Sequence, residues 1–177
     1  MKQMRFGFLG DYSKEFGGSL LTGKRKSKRP LSVKNPMHLV LKTTGKRFFS
    51  PGNRSLEKQI GNVAAKFKIK VSRVSLNWSH IHAIIQVPNR EAYNSFVREL
   101  TSKISIAISK RFGLLSNDLF DLRPYTRILN WGCDLANVYE YHDLNDLNDL
   151  EARGYIQRSR KKPFGHAPQR EKAIKNS

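Results

Sequence analysis

Apolar residues recur along this chain with two different periods, and segments of the two kinds alternate. Four short segments are rich in apolar or alternating residues and predict β-strands: residues 37–44, 69–78, 80–87 and 124–132. Three longer segments place apolar residues three and four positions apart and predict helices: residues 53–68, 90–113 and 134–154. The predicted order is therefore strand, helix, strand, strand, helix, strand, helix.

This order predicts an α+β fold. The first six elements match the ferredoxin-like plan, in which helices cover one face of an antiparallel sheet. The two strands of residues 69–78 and 80–87 are so close in sequence that we expect an antiparallel hairpin. The last helix is an addition to this plan. The second face of such a sheet would be free to bind a ligand.

The charge indicates a polyanionic partner. The 177 residues include 33 Lys and Arg against 14 Asp and Glu, which gives a formal net charge of +19. Nucleic acid is the usual partner of such an excess, and an anionic membrane surface is the alternative. The membrane alternative is weaker because no run of about 18 apolar residues exists. The start of the chain is a poor secretory signal, and the single cysteine cannot form an internal disulfide, so we expect cytoplasmic residence.

Composition also predicts the domain organisation. We expect a basic N-terminal arm over residues 1–30, a folded domain over residues 31–156 and a basic, partly disordered tail over residues 157–177. Five cations of the arm are candidates for neutralising phosphates: Lys24, Arg25, Lys26, Lys28 and Arg29. Arg73 and Arg127, within the folded domain, are further candidates. Phosphate contacts of this kind would make binding strongly salt-dependent.

Two histidines on one strand are the first candidates for chemistry. Because side chains alternate along a strand, His80 and His82 share a face and lie about 7 Å apart at the backbone. This spacing suits two ligands of one metal ion. The simpler interpretation is two polar residues on a half-exposed strand. A second set on the last helix, Tyr141 and Asn145, lies one turn apart on one face. Asn is an oxygen ligand for hard cations, and Tyr is a potential nucleophile.

Together these motifs resemble the single-tyrosine HUH transposases, a group that includes the REP-associated tyrosine transposases of bacteria. The His-hydrophobe-His motif matches His80-Ile81-His82, and the tyrosine helix with Asn or Gln four residues later matches Tyr141 and Asn145. The resemblance covers roughly residues 31–156. The match leaves two assignments undecided, the nucleophilic tyrosine and the metal ligand on the last helix. Tyr139 and Asp143 have the same spacing as Tyr141 and Asn145, and the tandem "DLNDLNDL" (143–150) obscures which side chain faces the metal. Ser79 stands where many relatives have Asn.

The resemblance implies metal-dependent cleavage and rejoining of single-stranded DNA through a 5′-phosphotyrosine at Tyr141. It implies that Mg²⁺ or Mn²⁺ is held by His80, His82 and Asn145, and that the DNA forms hairpins. It allows a homodimer in which the tyrosine helix is exchanged. The alternative is a DNA- or RNA-binding protein on the same fold without catalysis, whether inactive or domesticated. For His38 we expect a structural role, and no partner is predicted for His142.

Overall fold

The computed structural model describes residues 14–23, 27–44, 48–113, 119–120 and 123–152. The strands are β1 (Glu15–Phe16), β2 (Met37–Lys42), β3 (Lys70–Asn77), β4 (His80–Gln86) and β5 (Tyr125–Ile128). The helices are α1 (Arg54–Lys66), α2 (Arg90–Phe112) and α3 (Cys133–Ala152), and a single 3₁₀ turn covers Gly18–Leu21. Each strand and helix predicted from periodicity is therefore confirmed, with ends shifted by a few residues.

The sheet confirms the ferredoxin-like arrangement. Its strand order is β1-β5-β2-β4-β3, and every pair of neighbours is antiparallel. The four strands β5-β2-β4-β3 follow the order of the ferredoxin-like plan, and β3 and β4 form the predicted hairpin. None of the described helices is long and apolar enough to cross a membrane.

The folded region begins earlier than the sequence analysis predicts. Strand β1 belongs to the segment assigned to the basic arm, and it extends the sheet by pairing with β5. Phe16 is buried there, and the guanidinium of Arg29 lies over its ring at 4.5 Å. Arg29 also donates hydrogen bonds to Thr126 Oγ1 at 2.6 Å and to Pro124 O at 2.7 Å. Arg29 thus joins the arm to the sheet, which corrects its assignment to a free phosphate-binding arm. The other arm cations include Lys24, Arg25 and Lys26, which lie outside the described residues, as does the tail 157–177.

One face of the sheet carries the main hydrophobic core. The alternate residues Ile81, Ala83 and Ile85 of β4 pack there with buried residues of α1 and α2, as the alternation predicts. Both helices start at an asparagine cap: Asn53 accepts from the Leu56 amide, and Asn89 accepts from the Ala92 amide. Helix α2 ends at Gly113, whose left-handed φ of 66° fits the predicted C-cap.

Helix α3 packs on the opposite face of the sheet. Ile84, which points away from the main core, is buried with Leu129 and Val138. The partly buried side chains of Leu135 and Tyr139 pack against this group. The sequence analysis predicts that this face is free for a ligand. The structure corrects this for the part that α3 covers, because α3 supplies the apolar side chains that bury Ile84. The face of the sheet that carries His80 and His82, the histidine face, is therefore in contact with α3.

Candidate metal and tyrosine site

The register between β2 and β4 brings a third histidine to the predicted pair. Val40 of β2 lies opposite His82, and Lys42 lies opposite His80. Because directly paired residues point to the same face, His38 shares that face with both histidines. His38 and His82 are buried, at 8% and 4% exposure. From the sequence, a structural role is expected for His38, with a place beside the histidine pair only if the two strands are neighbours; the pairing of β2 with β4 meets that condition.

His82 uses one ring nitrogen and leaves the other free. The Nδ1 atom of His82 lies 3.0 Å from Nε2 of His38, a hydrogen-bonding distance. The Nε2 atom of His82 is buried and has no hydrogen-bond partner among the described residues. If Nδ1 carries the proton, Nε2 presents a lone pair that could bind a cation.

The ring of His80 is held by its neighbours. Its Nδ1 atom lies 3.0 Å from Ser79 Oγ, and its Nε2 atom lies 3.2 Å from Asn77 Nδ2. An amide nitrogen can only donate, so this arrangement makes Nε2 the acceptor and puts the proton on Nδ1, facing Ser79. Asn77 therefore fixes the His80 tautomer, and the Ser79 hydroxyl accepts from Nδ1. The His80 and His82 ring centroids are 4.7 Å apart.

Helix α3 adds His142 to this cluster. Its side chain is fully buried, and neither ring nitrogen has a hydrogen-bond partner among the described residues. Its ring centroid lies 5.2 Å from that of His38 and 5.5 Å from that of His82. Ligand nitrogens of these three histidines lie within 4.8 Å of one another, so the group could hold a metal ion. Sequence reasoning missed His142, although its position beside Tyr141 on an inward-facing helix is a usable signal.

The histidines are held in their neutral form. Burial lowers the pKa of His38 to about 4, helped by the nearby charges of His142 and Arg127. Burial, with the three surrounding histidines, lowers the pKa of His82 to about 2. Burial is also the largest cause that lowers the pKa of His80 and of His142. A neutral imidazole is the form that binds metals.

Tyr141 lies at the edge of the histidine cluster. Its ring centroid is 5.6 Å from that of His82, and its side chain is 46% exposed, so solvent and a substrate can reach it. Tyr139 instead packs in the small cluster around Ile84. Asn145 lies one turn after Tyr141, and its Nδ2 atom is buried without a hydrogen-bond partner among the described residues.

The aspartates of the tandem triplet bind the sheet. Arg73 Nη2 of β3 donates to Asp143 Oδ1 at 2.6 Å and to Asp146 Oδ2 at 2.7 Å. Ser75 Oγ donates to Asp146 Oδ1 at 2.5 Å. The sequence analysis assigns Arg73 to phosphate binding, whereas the structure pairs it with α3. Asp143, the competing ligand that follows Tyr139, is engaged in the same pairing.

Arg127 also has protein partners. It forms an ion pair with Asp134 at the start of α3, and its Nε atom lies 3.8 Å from Glu15 Oε1. Both arginines predicted to contact phosphate within the domain are thus used to hold α3 or β1 against the sheet. Each arginine is paired with an acidic side chain, and the sequence pattern alone does not predict that these acids lie opposite the arginines.

The donor set fits a divalent cation. Three kinds of polar group lie where α3 crosses the sheet: buried neutral imidazoles, the amide of Asn145 and a half-exposed phenol. Among the described residues, no hydrogen-bond partner reaches His82 Nε2, either ring nitrogen of His142 or Asn145 Nδ2. A buried polar atom without a partner costs free energy, so a cation that engaged the imidazole nitrogens would stabilise the site. An amide binds a cation through its oxygen, so Asn145 would have to present Oδ1. The arrangement could therefore place a metal-bound phosphate beside a nucleophile.

Comparisons with known proteins identify the family. A family model described as "Transposase IS200 like" matches residues 33–125, which include His38, His80 and His82 and end before α3. A crystal structure of a candidate transposase from Deinococcus radiodurans R1 is similar, with 13% sequence identity and a TM-score of 0.43. That similarity covers 68% of this chain and 98% of the other. None of the curated proteins compared with the chain matches it. Because the family match spans more than half of the 177 residues, the chain belongs to the IS200-like transposase family.

Proposed function

We propose that this protein cleaves and rejoins single-stranded DNA, with Tyr141 as the nucleophile. The observation that carries the proposal is the position of Tyr141, half-exposed and beside His82, at the edge of a buried histidine cluster. Membership of a transposase family supports DNA as the class of substrate. We propose that His80, His82 and Asn145 hold the divalent ion, the set that the resemblance implies; it shares only His82 with the group His38, His82 and His142. Mg²⁺ or Mn²⁺ is the proposed ion because the reaction needs exchangeable positions.

The proposed chemistry is an exchange of one phosphodiester for another. Tyr141 Oη attacks the scissile phosphorus, its proton passes to solvent, and the bond to the 3′-oxygen breaks. The products are a 5′-phosphotyrosine and a 3′-hydroxyl, which takes up a proton. The covalent link retains the energy of the broken bond, so a second 3′-hydroxyl can reseal the strand without ATP. A bound divalent ion supplies charge neutralisation at a non-bridging phosphate oxygen.

The chain's own residues prepare the site for this step. Burial keeps His80 and His82 neutral, as metal ligands must be. Ser79 and His38 engage the Nδ1 atoms of His80 and His82. This leaves His82 Nε2 for a ligand, whereas His80 Nε2 would have to exchange its hydrogen bond with Asn77 Nδ2 for one. Packing of Tyr139 in the cluster around Ile84 leaves Tyr141 as the accessible tyrosine of this pair.

The substrate in this proposal is a hairpin-forming single strand. We propose residues 31–156 as the catalytic domain, with Lys24, Arg25, Lys26 and Lys28 of the preceding arm, and the basic tail 157–177, contacting phosphates beside it. A homodimer that exchanges its tyrosine helices remains part of the proposal. In this structure α3 packs on the sheet of its own chain.

A denaturing gel tests the proposal. Labelled single-stranded hairpins from the DNA flanking the gene would be incubated with the protein and Mn²⁺, or with EDTA. We expect a covalent protein–DNA band that requires the metal. Tight binding without any adduct in Mn²⁺ would contradict the proposal and favour a non-catalytic nucleic-acid-binding protein on the same fold.

A further inference from the structure

A cavity of about 340 Å³ opens on the histidine face, on the side away from β3. Val40 and Lys42 of β2, Tyr125 of β5, Arg123 and the turn 17–20 line it. Val40 is paired with His82 on one side and with Tyr125 on the other, and Lys42 is paired with His80. Directly paired residues lie about 5 Å apart on the same face. The cavity therefore begins one strand away from the histidines.

The cavity offers cations and an aromatic ring. Lys42 and Arg123 are exposed, and Lys42 is close enough for its charge to contribute to the lowered pKa of His80. Tyr125 is half-buried, and a hydrogen bond with Glu15 holds its phenol, which together with burial raises the pKa of Tyr125. The charge of Glu15 is offset by Arg127, 3.8 Å away. The lining thus favours a ligand with a negative charge and a flat ring.

The wall formed by the turn is fixed in place. The Gly18 amide donates to Arg123 O at 2.9 Å. Gly17 has a φ of 97°, and a Cβ atom there would lie 2.0 Å from Pro124 O, so only glycine allows this approach. Gly18 packs close to the Tyr125 ring, since a Cβ atom built on it would be 3.9 Å from the ring atom Cδ2 of Tyr125. The cavity is therefore a preformed feature that binding need not create.

We infer that this cavity binds one nucleotide of the substrate strand, adjacent to the scissile phosphate. Its base stacks on Tyr125, and its phosphate lies between Lys42 and Arg123. Two observations favour this occupant. The volume is within the range of sites that hold small organic ligands. Arg73 of β3 binds helix α3, so α3 covers that side of the sheet. A single-stranded DNA that reaches Tyr141 therefore has to continue over β2 and β5, where the cavity lies. This inference rests on the proposed function and names a subsite for its substrate.

Abasic scanning of the DNA tests the stacking contact. Binding of a fluorescent hairpin strand to the Tyr141→Phe protein would be measured by anisotropy, with one base at a time replaced by an abasic spacer. We expect one position near the cleavage site where the spacer weakens binding roughly tenfold, as loss of one stacked base does. In Tyr125→Leu this position should become insensitive to the spacer. Tyr125→Phe, which keeps the ring, should behave like the parent protein.

A pair of charge variants tests the phosphate contact independently. Lys42→Ala with Arg123→Ala removes two cations from the cavity. The matched control, Lys58→Ala with Arg98→Ala, removes two exposed cations from α1 and α2 on the opposite face. The cavity variant should lower the magnitude of the salt slope of binding by about 1.4, the value for two phosphate contacts on a single strand, and the control should not.

The results separate this inference from the proposed function, because anisotropy does not require cleavage. Equal effects of the two charge pairs, no position that depends on Tyr125, or no measurable binding would overturn the nucleotide subsite. Failure of the native protein to form an adduct would overturn only the catalytic proposal.

Discussion

The Nε2 atom of His38 lies 3.0 Å from the Nδ1 atom of His82. This contact decides which nitrogen of His82 is left for a ligand, since His82 Nε2 is buried and unpartnered among the described residues. A histidine that binds a metal through one nitrogen commonly donates from the other, which fixes its tautomer and orientation. His38 is therefore a positioning residue for the proposed ligand His82.

Replacing His38 tests this positioning role. In His38→Leu the Nδ1 atom of His82 loses its hydrogen-bond partner, so we expect Mn²⁺ affinity to fall by roughly tenfold to a hundredfold. His38→Gln retains an acceptor oxygen and should recover much of that loss. Electron paramagnetic resonance of free Mn²⁺ gives the affinity directly. Equal affinity in the Leu variant and the parent protein would show that His38 does not act on His82.

Replacing the buried His142 should change the free energy of unfolding. Both ring nitrogens of this fully buried side chain lack partners among the described residues, so the metal-free fold carries the cost of desolvating them. In His142→Leu an apolar side chain replaces them, and we expect the metal-free protein to gain roughly 1 kcal/mol. Urea unfolding in EDTA measures the change. A clear loss of stability would mean that His142 makes hydrogen bonds in solution.

The free energy of unfolding of the metal-free protein should depend on pH through the histidines. The pKa of His38 is lowered to about 4 and that of His82 to about 2, from 6.5. Below pH 6.5 the unfolded chain therefore binds protons that the folded chain does not. The stability that these groups contribute is fully present above pH 6.5 and is lost as the pH falls toward their folded pKa values, by about 1.4 kcal/mol per pH unit for each histidine.

Urea unfolding between pH 8 and pH 5, with EDTA present, checks this dependence. The His38→Leu variant is the control, and its profile should be shallower than that of the parent because one shifted group is absent. A parent profile that stays flat below pH 6.5 would mean that the cluster accepts protons while folded.

Arg73 should stabilise the packing of α3 on the sheet. It donates to both Asp143 and Asp146, and all three side chains are partly exposed, so we expect a double-mutant coupling of only about 0.5–1 kcal/mol with Asp146. Hydrogen exchange of α3 amides should accelerate in Arg73→Ala. The salt slope of DNA binding should hardly change, because Arg73 is already paired. A slope reduced by about 0.7 with α3 exchange unchanged would instead support a phosphate contact.

Local periodicity was sufficient to predict the seven main elements. Each strand from β2 to β5 and each helix carries its own apolar pattern, and the alternation in β4 separates Ile81, Ala83 and Ile85 from His80 and His82 without reference to other strands. The ferredoxin-like order follows from the succession of elements. Strand β1 could not be predicted in this way, because two residues have no period and pair only when β5 is present.

The rest of the site depends on contacts between distant residues. His38 approaches His82 through the register of β2 and β4, and His142 reaches both through the packing of α3. The partners of Arg73 and Arg127 are acids on α3, which the pattern of charge did not reveal. The resemblance identified Tyr141, but Tyr139 was an alternative because Asp143 follows it at the same spacing. The packing of Tyr139 around Ile84 now favours Tyr141.

Mapping the covalent adduct would show which residue attacks the DNA. After reaction with a hairpin strand in Mn²⁺, nuclease and trypsin digestion would leave a nucleotide on a single peptide, which fragmentation in a mass spectrometer can assign to one residue. We expect modification at Tyr141, its loss in Tyr141→Phe and its persistence in Tyr139→Phe. Modification at Tyr139, or no modified tyrosine in a sample that has cleaved its DNA, would contradict it.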